Sequence, residues 1–398
     1  MPGANHELLR KINRCKILNT IRLKGMISRA QIARINKLSQ AAVTGITTEL
    51  IHEKLIFEKK VGTSSASGRK PILLALNPNA PPVIGVKLAN DLITVAITNI
   101  DTEVIDTTLV PVPQKAKTAE QVADLISETI YNRLKKNNIN PESVLGMGLG
   151  MAGMIDTQKG LCLFSPFLGW QNVPFRALLE ERLHIPTYIE NNVKTLTMAE
   201  KWFGSGKGVD HFLLITIGKG VGMCMVFNGN IFRGARGYGG EFGHITIDPK
   251  GRRCDCGKKG CLETFIADKY LLAQTKKIIK QTEKWPDDKL RELDIETVTQ
   301  MAIKEHKKLV PIFEVAGDYL GRGITTLINI LEPELILITG EGVRAKDLLL
   351  KPMKEAIEKY SFNNMAEHIK ILVEHRSEVD WAKGAASLAL QKLFSMPV

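Results

Sequence analysis

At 398 residues and 44% hydrophobic composition the chain can bury two or three cores, and its 24% charged content is ordinary for a globular protein. No apolar run approaches the ~20 residues of a membrane span, and the polar, basic N-terminus has no signal-peptide core, which argues against a membrane-embedded or exported protein. The formal net charge of +12 is concentrated: residues 1–72 hold fourteen Lys or Arg, four Glu and no Asp, a local +10, leaving +2 for the other 326 residues. That is the charge footprint of a nucleic-acid-binding head on a near-neutral body.

Leu8, Leu9, Ile12, Ile17, Leu18 and Ile21 recur at helical spacing and predict a first helix over residues 6–23, ended by Gly25. Ser28 is placed to cap a short second helix from Arg29, with Ile32 and Ala33 inward. Lys37-Leu38 turns the chain, and Ser39 caps a third helix running to about Lys54 on Val43, Ile46, Leu50 and Ile51. Two helices joined by a tight turn predict a helix-turn-helix whose second member enters the major groove. Its exposed first turn offers Gln40, Ala41, Ala42 and Thr44, a set that can meet adenine edges and thymine methyls. Two strands, from Leu55 and from Pro71, flank a Gly/Ser-rich basic stretch that reads as a wing. Arg69 and Lys70 in it are expected to reach phosphates or the minor groove, while Arg29, Arg34, Lys37, Lys59 and Lys60 are expected to touch phosphates. A helical trio built for protein docking is the plainer alternative.

Pro81 and Pro82 mark a linker, so residues 1–79 are expected to form a separate winged helix-turn-helix domain. Beyond it, three consecutive strands begin at Val83, Leu92 and Glu103, followed by a helix over 118–136 and a glycine-rich strand from Val144. A helix over 174–183, a strand from Thr187 and a helix over 193–203 complete a first lobe. The pattern then restarts with strands at 212–218 and 223–227 and a third ending near Ile245-Thr-Ile. Helices are expected over 263–282, 295–306, 310–330, 346–358 and 382–394, with strands from Leu335 and Ile369. A three-strand meander followed by βαβ units, occurring twice, predicts a duplicated α/β architecture with a ligand cleft between lobes.

Residues 239–263 stand apart. Gly-Gly-Glu-Phe-Gly-His precedes Cys254, Cys256, Cys261 and Glu263. Three thiolates and one imidazole, His244, make a full tetrahedral shell for a structural Zn²⁺, and Gly257 and Gly260 let the backbone wrap it. One nitrogen of His244 would bind the metal and leave the other to hold a ligand, with Glu241 and Glu263 alongside. A disulfide or idle thiols is the plainer alternative. With only three cysteines elsewhere, the chain suits a reducing cytoplasm.

This motif resembles the signature of the ROK family (repressors, open reading frames and sugar kinases), and the winged front end is similar to its xylose-repressor and N-acetylglucosamine-repressor branch. The resemblance covers essentially the whole chain. It implies a duplicated actin-like (ribonuclease H-like, sugar-kinase type) fold with a first lobe over 80–190 and a second over 191–398. The last helix would pack back on the first lobe, and the 310–330 helix is a candidate dimer element. The family's first phosphate loop resembles Asp-x-Gly-Gly-Thr-Lys, where this chain has Lys87-Leu-Ala-Asn-Asp91; the second corresponds to Gly218-Lys-Gly-Val-Gly222. The kinases' Asn-Asp pair is Asn191-Asn192 here, and an amide cannot take the proton a general base must take. By resemblance Gly153, Asn191, Asn192, Glu241, His244 and Glu263 hold the sugar, although Ala152 replaces a proline and Phe167 an asparagine beside it.

The expectation is therefore a non-enzymatic, sugar-responsive repressor of carbohydrate genes. It would bind a double-stranded operator as a homodimer or dimer of dimers, in the cytoplasm and nucleoid-associated when DNA-bound. A monosaccharide or sugar derivative would be its effector. An active kinase carrying a DNA-binding appendage, a repressor governed by a sugar-transport protein, and an empty remnant pocket are the rivals.

Overall fold

In the computed structural model of the protein, residues 2–60, 72–113, 118–283, 285–304 and 306–394 are described. The chain divides into two compact units, Met1–Thr195 with Glu378–Val398, and Leu196–Ser377.

The first unit opens with α1 (Pro2–Lys24), β1 (Ile27–Ser28), α2 (Arg29–Asn36), α3 (Gln40–His52), β2 (Ile56–Lys60) and β3 (Ile72–Leu76). Ser28 closes a reciprocal capping box with Gln31, Lys37 ends α2 in the left-handed region, and the Ser39 hydroxyl accepts from the Ala42 N–H. Ile17, Leu18 and Ile21 of α1 are buried with Ile32, Val43, Ile46, Leu50 and Leu74. The β1–β3–β2 sheet is antiparallel. Its first strand is too short to read from periodicity. The expected wing, including Arg69 and Lys70, lies outside the described residues.

The rest of this unit contains β4 (Val83–Leu88), β5 (Leu92–Thr98), β6 (Val104–Pro111), α4 (Ala119–Lys136), β7 (Gly146–Met151), β8 (Met154–Asp156), β9 (Leu161–Ser165) and β10 (Trp170–Val173). It continues with α5 (Phe175–Leu183), β11 (Thr187–Asn191) and the start of α6 (Asn192–Phe203). A five-stranded sheet in the order β11–β7–β4–β5–β6 carries α4 and α5 in its main hydrophobic cluster. The small β10–β9–β8 sheet was not legible in the sequence, where this stretch reads as loop. The C-terminal helix, Glu378–Phe394, packs on β4, β5 and β7. Two glycines explain how closely: a Cβ at Gly85 would lie 1.9 Å from the Ala382 carbonyl oxygen, and one at Gly148 1.8 Å from that of Ala385.

The second unit contains β12 (Phe212–Ile217), β13 (Val221–Phe227), β14 (Asn230–Phe232), α7 (Glu263–Ile266), α8 (Asp268–Thr282), α9 (Asp287–Glu292) and α10 (Ile295–Ile303). It closes with α11 (Val310–Leu331), β15 (Leu335–Thr339), α12 (Asp347–Tyr360) and β16 (Lys370–Val373); the C-terminal helix is α13. The sheet order is β14–β13–β12–β15–β16. Two expectations are corrected. The third meander strand is Asn230–Phe232, turned by Asn228 and Gly229 at positive φ, and not the stretch ending at Ile247. Residues 245–247 instead pair with the cysteine loop, through Leu262 N–H to Ile245 O and Ile247 N–H to Gly260 O. The single helix expected over 263–282 is broken at Ala267, which is extended, because the Asp268 N–H is taken by the Gly218 carbonyl.

Candidate functional site

In the second unit, the Gly-Gly-Glu-Phe-Gly-His motif acts through alternating size. A Cβ at Gly240 would lie 2.3 Å from Met223 O, and one at Gly243 2.4 Å from Val221 O, so this segment presses directly on the β13 backbone. Phe242 is buried in the main cluster of the unit and lies under Gly323 of α11. Anchored this way, the short helical turn Phe242–His244 leaves Glu241 and His244 exposed.

His244, Cys254, Cys256 and Cys261 bring their ligand atoms within 4.8 Å of one another. His244 Nδ1 is 3.6 Å from Cys254 Sγ, and Cys256 Sγ is 3.5 Å from Cys261 Sγ. The turn is closed by Cys254 N–H to Lys258 O and Gly257 N–H to Cys254 O, with Gly257 and Gly260 at positive φ. Burial pushes the Cys261 thiol up to about 12 and raises that of Cys254. At Cys256 burial also works upward, but hydrogen bonds from the Lys258 N–H and the neighbouring thiols leave it lowered. Three thiols in such surroundings cannot all ionise without a compensating cation. The donor set therefore fits a metal ion, and the second nitrogen of His244, Nε2, faces a carboxylate oxygen of Glu241 at 4.0 Å.

Two residues after Cys261, Glu263 is buried at the start of α7. One of its oxygens accepts from the Val221 N–H at 3.1 Å, and the other is 3.8 Å from Lys269 Nζ. Lys269 also pairs with Asp255 inside the cysteine loop. Glu263 thus ties the metal loop to Gly218–Gly222, the second glycine loop.

In the first unit, Asn191 and Gly153 come together: Asn191 Nδ2 donates to Gly153 O at 3.2 Å. The Asn191 side-chain oxygen accepts from Val193 N–H, as does that of Asn192, so both amides hold the N-terminus of α6. Gly153 has φ +136°, and a Cβ there would lie 2.4 Å from Phe164 O. Lys87 is buried in β4 and bonds Glu378 at 2.9 Å; Thr94 donates to the other Glu378 oxygen, and Trp381 lies 4.6 Å from the ammonium. The partner of Lys87 was missed in the sequence, since it lies 291 residues away.

In the head, Gln40, Ala41 and Thr44 are exposed on α3 and Ala42 is half-buried. Gly45 and Thr48 extend the same exposed face, and the sequence reading passed over both. The Ser39 hydroxyl is engaged as the helix cap. Arg29 donates to Thr47 and Glu58, a brace across α2, α3 and β2. Arg34, Lys37 and Lys59 are exposed. Glu49 of α3 and Glu53, which caps its C-terminus, are paired with Arg10 and Arg14 of α1.

A sequence profile of the ROK family matches residues 83–392. The chain belongs to the ROK family. It is 32% identical to the xylose repressor of Caldicellulosiruptor bescii over 400 aligned residues, covering 99% of each chain. To the transcriptional dual regulator NagC of Escherichia coli it is 27% identical, covering 98% of this chain and 94% of that one. A crystal structure of a ROK family transcriptional regulator, a homologue of the E. coli MLC protein, superposes with a TM-score of 0.85 at 27% identity over 97% of both chains. A ROK glucokinase from Streptomyces griseus shares the fold, with a TM-score of 0.68 at 24% identity over 78% of this chain and 99% of its own. The full-length likeness is to regulators, and it supports a DNA-binding repressor rather than an enzyme. Among the described residues no helix is long and apolar enough to cross a membrane.

Proposed function

We propose that the protein is a sugar-responsive transcriptional repressor of carbohydrate uptake or catabolism genes, with a zinc-braced sugar pocket and no kinase activity. The observation that carries this reading is the extent of the likeness. It runs over head and body together for the xylose repressor, 99% of each chain, whereas the glucokinase covers 78% of this chain.

The local chemistry agrees. Tetrahedral Zn²⁺ with Zn–S of ~2.3 Å and Zn–N of ~2.0 Å sets S···S near ~3.8 Å and S···N near ~3.5 Å. The observed 3.5 Å and 3.6 Å need only small adjustments to reach those values. In the second unit His244, oriented by the metal, with Glu241 and Glu263, and in the first unit Asn191, Asn192 and Gly153, are each suited to recognise sugar hydroxyls. Carboxylates and amides reject analogues that leave them unpaired. Phosphoryl transfer lacks its parts: Asn192 offers an amide where a base is needed, and Lys87 is buried against Glu378 at the first phosphate-loop position. A homodimer would set two heads on a palindromic operator, and a sugar favouring one conformation would shift the DNA-binding equilibrium.

The test is fluorescence anisotropy on duplexes tiled from the DNA upstream of the protein's own gene, titrated without and with D-xylose, N-acetylglucosamine, glucose and their phosphates. Salt-dependent binding to one duplex, altered by one sugar, is expected. Binding to no duplex, or sugar-dependent ATP turnover in a parallel coupled assay, would refute the proposal.

A further inference from the structure

Gly45 sits inside α3, five residues after its start, with an ordinary helical backbone and its face to solvent. Glycine in a helix interior is destabilising relative to alanine, because the unfolded chain loses more freedom and the helix gains no packing. The helical glycines of α11 have an internal reason. A Cβ at Gly317 of α11 would lie 2.3 Å from Leu349 O, and one at Gly321 2.4 Å from Met353 O. At Gly45 an added Cβ would have no heavy atom within 4 Å. Nothing in the fold asks for its absence.

The position supplies a reason outside the chain. Val43, Ile46, Thr47 and Leu50 form the buried stripe of α3. Gly45 lies on the opposite side, one turn beyond Ala41 and beside Thr44 and Thr48, all exposed. This is the face that a second helix of a helix-turn-helix presents to base edges. The acidic side chains nearest this face, Glu49 and Glu53, are already paired with Arg10 and Arg14 and do not repel a polyanion.

We infer that Gly45 is a specificity-determining residue that sets how deeply α3 enters the major groove. Without a Cβ the helix backbone comes into van der Waals contact with a base edge, which brings Gln40, Ala41 and Thr44 within reach of theirs. A side chain at 45 holds the helix off and weakens those contacts together. This rests on the reading of the head as DNA-binding.

The experiment uses the full-length protein. Wild type is first used to select its preferred duplex from a random-sequence library. Gly45→Ala, Gly45→Leu and wild type are then compared on that duplex, on a mixed-sequence duplex, and in thermal unfolding. Gly45→Ala should leave Tm unchanged or raise it by about 1–3 °C. Affinity for the selected duplex should fall by about tenfold for alanine and by about a hundredfold for leucine. Binding to the mixed duplex, which rests on phosphate contacts, should change by less than about threefold. Three results overturn the inference: unchanged affinity of Gly45→Ala for the selected duplex, equal losses on both duplexes, or a lowered Tm, which would make the glycine a folding requirement. If wild type enriches no duplex, the DNA-binding reading falls and this inference with it; if wild type enriches one and alanine binds it equally, only this inference falls.

Discussion

Glu378→Gln should destabilise the first unit by about 2–3 kcal/mol, and Lys87→Met by clearly less. Breaking a buried pair from one side costs ~3–5 kcal/mol because the remaining charge stays desolvated. Here the asymmetry is readable: the Lys87 side chain is 8% exposed and that of Glu378 32%. Neutralising the carboxylate leaves a buried ammonium compensated only by the amide oxygen at 378 and by the Trp381 ring 4.6 Å away, the ring offsetting ~0.5–2 kcal/mol. Removing the ammonium leaves a carboxylate already one-third in water, with the Thr94 hydroxyl still donating, at a loss of about 1 kcal/mol or less. Lys87→Met with Glu378→Leu should come back to within about 1 kcal/mol of wild type, since an apolar replacement of both partners is often neutral. Urea unfolding followed by tryptophan fluorescence reads these shifts, and Trp381 against Lys87 reports the site directly. If Lys87→Met were as damaging as Glu378→Gln, desolvation of the cation would not be the governing quantity.

Four further expectations can be checked directly. Stripping metal with a chelator should release one Zn²⁺ per chain in a colorimetric assay and lower the unfolding temperature of the second unit, because a Cys₃His site contributes folding energy; Cys261→Ser should reproduce the loss without chelator. Glu241→Gln should weaken binding of the effector sugar by about tenfold or more in calorimetry, the loss expected of a hydrogen bond to a charged group, while leaving metal content unchanged. Asn192→Asp should not by itself create sugar-dependent ATP turnover, since Lys87 and Glu378 still occupy the first phosphate-loop position. Arg133, followed by Asn137, holds the Asp106 carboxyl below its usual 3.8 against the opposing effect of burial. That stabilisation is complete above about pH 4 and disappears as pH falls through the lowered folded value, so Asp106→Asn should lower Tm on the neutral side of a Tm-against-pH curve and converge with wild type on the acid side, making the curve flatter.

What the sequence showed and hid divides along physical lines. Periodic helices and capped starts were legible: Ser28 and Ser39 each cap the helix that follows, as a hydroxyl before an apolar run suggests. The clustering of His244, Cys254, Cys256 and Cys261 was legible because four potential donors fall within eighteen residues and need no long-range pairing to be recognised. Short elements were not: β8 to β10 have three to five residues each and carry no usable alternation. Residues 245–247 looked like a strand because they alternate, but the strand-like bonding they make is to the cysteine loop. Lys87 was hidden most deeply. A lysine in a strand ordinarily reads as its solvent side, whereas all six residues of β4 are buried and its counter-charge comes from the far end of the chain.

That counter-charge also explains why α13 belongs mechanically to the first unit. At its N-terminus Glu378 is bonded to Lys87 of β4. Along its length the carbonyls of Ala382 and Ala385 sit where Gly85 and Gly148 leave no side chain, so the helix has no slack against the sheet. At its C-terminus the Phe394 carbonyl accepts from Asn19 of α1 at 2.6 Å, and the Arg22 guanidinium lies 5.4 Å from the Phe394 ring. Close-packed interiors transmit displacement rather than absorb it. A shift of β4 large enough to move Glu378 would therefore be passed through α13 to its contacts with Asn19 and Arg22 of α1. Lys87 is thus bonded into the helix that reaches α1 of the head.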